Sequence, residues 1–176
     1  MIRLAPLAQH HAASFYPWLR DPEVIEYSLS AFQHMHTETQ INEWLAATLQ
    51  NQASFNLGIF LTDSDELIGY AGLSGISATN LAAEFFILIG QKSWWGRGIG
   101  TAVARQVLAL GFTEHELNRI MLTVSETNIG GLKAYARAGF VVEGRQREAC
   151  RRNGRFHDKI MMAVLKSEWK GVTAGT

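Results

Sequence analysis

The stretch that most constrains this chain is residues 84–101. An apolar run, Glu84-Phe85-Phe86-Ile87-Leu88-Ile89, stops at Gly90, and Gln91-Lys92-Ser93-Trp94-Trp95 leads into Gly96-Arg97-Gly98-Ile99-Gly100-Thr101. The run is too short to cross a membrane and has the length of a buried strand. The pattern therefore predicts strand, glycine loop and helix, with the helix opening at Thr101. Glycines reach dihedrals that a Cβ forbids and let main chain approach a ligand, while the first N–H groups of a helix lack partners. Such a unit suits an anion, a phosphate above all. A P-loop would need Gly-Lys before Ser or Thr, whereas Gly100 is followed directly by Thr101, which disfavours nucleoside triphosphate hydrolysis. A Rossmann fingerprint would need Gly-x-Gly-x-x-Gly at the head of repeated βαβ units, and neither the spacing nor the mid-chain place fits. On this stretch alone a purely structural turn stays open.

The rest of the chain supplies the frame. Residues 2–5 predict a short strand, and Ala12 to Leu19 a helix with Phe15, Trp18 and Leu19 inward. Asp21-Pro22 reads as an N-cap and first position of a short helix to Tyr27. Thr37 and Gln40 form a capping box for a helix to about Asn51, with Ile41, Trp44, Leu45 and Leu49 facing the core. Residues 28–36 between them read as an irregular loop. From Ser54 the period changes to strands: Phe55–Leu61 and Leu67–Ile76 as a hairpin, then the central strand. Thr101 to about Glu114 is a helix with Val103, Val107, Leu108 and Leu110 inward, and Arg119–Val124 a strand. Asn128 caps a helix to Arg137 that ends with Gly139 at C′, and Val141–Cys150 and Phe156–Leu165 close a hairpin around Asn153-Gly154. The fold class is α+β with a mixed sheet, in a single domain over 1–176.

Composition narrows the function classes. With 176 residues, 47% hydrophobic and 18% charged, the chain can bury a substantial core. Its formal net charge of zero removes the usual electrostatic argument for a nucleic-acid partner. The start breaks its apolar character too early for a signal peptide, no run approaches the ~18 apolar residues of a membrane helix, and a single cysteine, Cys150, fits a reducing compartment. The expectation is a cytoplasmic protein without a membrane partner. Cys150 reads as core filler. His34-x-His36 lacks a third ligand at a usable spacing, so no metal site is expected.

Asn128, Tyr135 seven residues on, and Gly139-Phe140 form the second signal, because seven residues place Asn128 and Tyr135 on one helix face. Strand, x-x-Gly-x-Gly loop, helix, strand, then Asn-x6-Tyr-x3-Gly-Phe resembles the GNAT superfamily of acetyl-CoA-dependent N-acetyltransferases, over residues 55 to 169. The segments Glu143–Glu148 and Asn153–Asp158 are similar to the ribosomal-protein (RimJ/RimL-like) and spermidine acetyltransferase branches, as is Leu19–Val24, less diagnostically. The resemblance implies a GNAT-like, mostly antiparallel sheet flanked by helices, with acetyl-CoA held at a splayed central strand. It implies that Trp95, Gly96, Arg97, Gly98, Ile99, Gly100 and Thr101 hold the pyrophosphate, with Trp95 standing where Gln or Arg is usual. It further implies that the main chain of Ile87, Leu88 and Ile89 pairs with the pantetheine arm, that Asn128 contacts the cosubstrate, and that Tyr135 protonates the leaving thiolate. A homodimer is expected at family level only.

The transfer needs a neutral amine, which near pKa ~10.4 must lose a proton before it attacks the thioester. Glu84 is the candidate base and Glu126 the second, with His34, His36 and His157 also open. Residues 1–66 hold eight carboxylates against Arg3 and Arg20, which suits a cationic acceptor. Residues 28–36 carry Ser, Phe, Gln and His rather than acids, which favours a small amine or a peptide N-terminus over a polyamine. An aminosugar fits those residues as well. A non-catalytic acyl-CoA-binding module is the alternative of another class, and Tyr135 argues against it.

Overall fold

The computed structural model describes residues 1–171. Seven strands, β1 Ile2–Pro6, β2 Phe55–Leu61, β3 Leu67–Ser77, β4 Ala82–Ile89, β5 Arg119–Ser125, β6 Val141–Arg152 and β7 Arg155–Leu165, make one sheet in the order β1-β2-β3-β4-β5-β7-β6. The helices are α1 Ala12–Arg20, α2 Pro22–Ile25, α3 Glu38–Gln50, α4 Ile99–Thr113 and α5 Ile129–Ala138. The β4–β5 pair is parallel, while β1–β2, β5–β7 and β6–β7 are antiparallel. The mixed, mostly antiparallel sheet expected from the sequence is present. Among the described residues no helix is long and apolar enough to cross a membrane.

Local chemistry sets most boundaries where the sequence places them. Thr37 Oγ1 accepts from Gln40 N–H and Gln40 Oε1 accepts from Thr37 N–H, both at 3.1 Å, closing the box that starts α3. Asp21 accepts from Glu23 N–H at 3.0 Å and Pro22 begins α2. Gly139 ends α5 at φ +113, and Asn153 and Gly154, at φ +53 and +73, have the positive pair that a two-residue hairpin turn needs. Several details differ. α2 ends at Ile25 rather than running to Tyr27, and Leu110 is only partly buried. The segment 28–36 contains a 3₁₀ turn, Ser30–His34, pinned by fully buried Phe32. Leu49 is exposed rather than inward. The helix expected at Thr101 begins at Ile99, two residues into the glycine loop.

Internal packing divides the chain into two units, Met1–Gly72 with Phe86–Ile99, and Leu73–Phe85 with Gly100 onward. The single-domain expectation over 1–176 also takes in residues 172–176, which lie outside the described residues. The first unit has an aromatic core in which Phe15, Trp44 and Tyr70 stand 5.2–5.7 Å apart, Trp18 lies against Phe15 and Phe32 against Trp44. Tyr70 also meets Phe86 of β4. Edge and tilted geometries of this kind add to the area they bury. In the second unit, Ile120, Leu122 and Val124 alternate inward along β5, and Val103, Val107, Leu108 and Phe112 line the buried side of α4. A Cβ on Gly111 would stand 2.6 Å from Ile120 Cδ1, so α4 comes close to β5 at that glycine. Cys150 is buried, as core filler should be.

Candidate active site

The phosphate-loop candidate rises from β4 in the first unit. Gly69 lets β3 approach so closely that a Cβ there would fall 2.2 Å from Leu88 O. Past Ile89 the chain turns: the N–H groups of Gly90 and Gln91 both donate to Ile68 O, at 2.8 and 3.2 Å. Gly90 sits against buried Trp18, whose ring would lie 2.0 Å from a Cβ. The 3₁₀ turn Lys92–Trp94 follows, its lysine Nζ 2.7 Å from Asp21 Oδ2 and 2.9 Å from Glu23 Oε2. Those hydrogen bonds raise the Lys92 pKa, and Lys92 in turn holds the Asp21 carboxyl below its usual range. Trp95 Nε1–H donates to Ile89 O at 2.9 Å, and the Arg97 guanidinium lies 4.8 Å from the Trp94 ring centre.

The glycines then do what a phosphate cradle requires. Gly96 and Gly98 adopt φ +71 and +79, and a Cβ on either would meet nothing within 4 Å. The main chain is thus bare and open on the approach to α4. Ile99 and Thr101 are buried at the helix start, so the first-turn N–H groups of α4, which have no acceptor inside the helix, are held on a packed base. These residues fit the diphosphate of a nucleotide-type ligand.

In the second unit the first turn of α4 lies beside α5. Thr101 Oγ1–H donates to Ala134 O at 3.3 Å, and a Cβ on Gly100 would be 3.8 Å from Ala134 Cβ. Asn128 caps α5, its Oδ1 accepting from Gly131 N–H at 2.9 Å, and a Cβ on Gly131 would come within 2.6 Å of the amide. Tyr135, next to Ala134, is half-buried with its ring edge-on to Phe85 at 5.9 Å and to Phe140 at 6.1 Å. Burial pushes its pKa up to about 12. Among the described residues its hydroxyl has no hydrogen-bond partner. It is a protonated phenol with its proton uncommitted.

The carboxylates are placed less simply. The β4–β5 ladder consists of Ala82↔Arg119, Ala83↔Ile120 and Glu84↔Met121. Glu84 is exposed and, one residue from buried Phe85, points to the opposite face of β4 from the Phe85–Tyr135 contact. The fold therefore does not bring Glu84 and Tyr135 to one face. Glu126 is engaged: Arg145 bridges it, at 2.5 Å, and Asp158, at 2.8 Å. A backbone hydrogen bond from Glu148 and the Arg145 guanidinium hold the Asp158 carboxyl below its usual range. His36 places both ring nitrogens near carbonyl oxygens, Leu19 O at 3.3 Å and Gln33 O at 3.0 Å, while His34 is exposed and His157 half-buried. The Lys92 and Trp95 anchors escaped the sequence reading; only the donor character of the two side chains pointed to them.

A family model described as "Acetyltransferase (GNAT) domain" matches residues 2–141. The sequence is 29% identical over 153 residues to "Uncharacterized N-acetyltransferase p20" of Bacillus licheniformis, covering 86% of this chain and 85% of that one. It is 29% identical over 119 residues to the "[Ribosomal protein uS5]-alanine N-acetyltransferase" of Escherichia coli (strain K12), covering 66% of this chain and 60% of that one. The fold superposes on a spermidine N-acetyltransferase from Vibrio cholerae, solved in complex with CoA and spermine, with a TM-score of 0.85 at 23% identity over 95% of this chain and 96% of that one.

Proposed function

The chain belongs to the GNAT acetyltransferase domain family, and from that premise we propose that it is an acetyl-CoA-dependent N-acetyltransferase whose acceptor is a small primary amine or a peptide N-terminus. The observation that carries the reading is the open glycine main chain at residues 96 and 98, leading straight into α4. Acetyl-CoA supplies the activated acyl group as a thioester. Its diphosphate is read by the N–H groups of residues 96–101 with Arg97 adding charge, and its amide arm by the main chain of Ile87–Ile89 beyond the three-pair ladder. Asn128 lies on the helix that carries Tyr135 and is assigned to the arm as well.

The chemistry assigned to this chain's own groups is modest. The amine forms a C–N bond as the C–S bond breaks; its proton leaves to solvent, since Glu84 lies on the opposite face of β4 from the Phe85–Tyr135 contact, and the departing thiolate takes the Tyr135 proton. A phenol with its pKa pushed up to about 12 carries its proton at neutral pH.

The pairing of the N-terminal carboxylates supports this acceptor class. Asp21 and Glu23 share the single charge of Lys92, Asp65 pairs with Arg3, and Glu38 lies 4.0 Å from Arg20. A polyamine site needs several uncommitted carboxylates converging on one ligand, and four of the eight are engaged in these pairs. A single amine asks for less. The ribosomal-protein relative supports a peptide N-terminus as the acceptor.

The test of the cosubstrate assignment is calorimetric titration with CoA. Gly98→Ala, which forces a Cβ into the left-handed region at a cost of about 1–2 kcal/mol, is expected to weaken binding about tenfold and, because Gly98 holds φ +79 without ligand, to lower the melting temperature by roughly 2–8 °C. Binding equal to wild type would remove the loop from the site.

A further inference from the structure

We infer that Trp95 is a positioning residue: its indole N–H fixes the glycine loop in the phosphate-binding shape before any ligand arrives. This rests on the cosubstrate reading above and goes beyond it, since a main-chain cradle assigns no work to the side chain at this position.

The loop needs such a device. Gly96 and Gly98 have positive φ and no neighbour within 4 Å of a would-be Cβ, so side-chain packing does not confine them. Glycine loses more conformational freedom than any other residue when it is ordered, and a loop that must order on binding weakens affinity by that amount. The loop's stem, by contrast, is secured on both sides. Gly90 and Gln91 N–H hold Ile68 O from one side. On the other, the indole returns across six residues to Ile89 O at 2.9 Å and closes a ring between the end of β4 and the first glycine. Indole nitrogen donates and cannot accept, so the bond has one polarity and one partner. Lys92, held by Asp21 and Glu23, sets the turn inside that ring. The ring of Trp95 stays 38% exposed, so its burial contributes less than a core tryptophan's. Its hydrogen bond is the part that constrains the loop.

The experiment compares wild type, Trp95→Phe, which keeps an aromatic ring and loses the donor, and Trp95→Gln, which restores an N–H donor on a flexible stem. Amide hydrogen exchange over residues 93–98 of the ligand-free proteins is read alongside CoA affinity and the separate kcat and KM for acetyl-CoA. Trp95→Phe is expected to exchange faster in the loop, to bind CoA about fivefold more weakly, as for one hydrogen bond, and to raise KM more than it lowers kcat. Trp95→Gln is expected to recover most of the affinity. Unchanged loop exchange and affinity in Trp95→Phe overturn the inference, as does identical behaviour of the two variants, which would assign the effect to the ring. If wild type itself fails to bind CoA, the cosubstrate reading falls, while the exchange experiment on the ligand-free loop still decides whether the clamp exists.

Discussion

Replacing Tyr135 by phenylalanine is expected to lower kcat by about 10²–10⁴-fold, the usual worth of a positioned general acid, while leaving CoA affinity and melting temperature close to wild type. The separation of these effects follows from the surroundings. The ring contacts with Phe85 and Phe140 survive the change, and the hydroxyl that is lost holds up no other described residue. The pH dependence adds a sign. Burial favours the neutral phenol, so the acid form persists as pH rises and is lost only near a pKa of about 12. Wild-type kcat should therefore show no falling limb from this group between neutral pH and about 10, close to the reference value of a free tyrosine. A fully active Tyr135→Phe protein removes Tyr135 as the acid, and a descending limb that disappears in that variant contradicts its raised pKa.

Gly90→Ala is expected to be a strongly damaging methyl addition at the stem of the loop. Its Cβ would fall 2.0–2.4 Å from three ring atoms of Trp18. Trp18 cannot readily yield, being 4% exposed and seated against Phe15. Overpacking of this kind costs typically about 1–3 kcal/mol, and for a chain of this length each kcal/mol lowers the melting temperature by roughly 2–4 °C. With a rigid aromatic as the obstacle, the upper part of that range, a loss of roughly 6–12 °C, is the expected result in a thermal melt. Because Gly90 N–H is also a hydrogen bond of the loop's stem, CoA affinity should fall as well. A variant that melts with wild type would show that Trp18 can move aside.

Residues whose chemistry is local were legible in the chain. Thr37 with Gln40, Asp21 with Pro22, Asn128 at its cap, Gly139 after α5 and the Asn153-Gly154 turn each declare a backbone conformation within a few positions of themselves. So did the strand–loop–helix unit, since the period changes at Gly90 and the glycines mark the departure from it. What spacing does not carry is partnership at a distance. Lys92 finds Glu23 across 69 positions, and Glu126, in the turn after β5, meets Arg145 of β6 across 19, so neither the anchor nor the engagement of a candidate base could be read along the chain. Trp95 reads in the chain as a pyrophosphate-loop residue standing where Gln or Arg is usual. Its indole hydrogen bond to Ile89 O depends on how the turn folds back, which no residue count states. Leu49 failed for a simpler reason: helical period places it near the inward stripe, but it lies on the last turn of α3, where the core has ended.

The most direct measurement of the central claim is thiol release from acetyl-CoA by wild-type protein, with product mass, against small primary amines, amino acids, aminosugars, polyamines and short peptides with free N-termini. The account predicts acceptor-dependent thiol release with one acetyl group added per thiol, fastest on a small amine or a peptide N-terminus and slower on spermidine. Tight CoA binding with no acetylated product from any amine would contradict it and leave a module that binds acyl-CoA without transferring its acyl group.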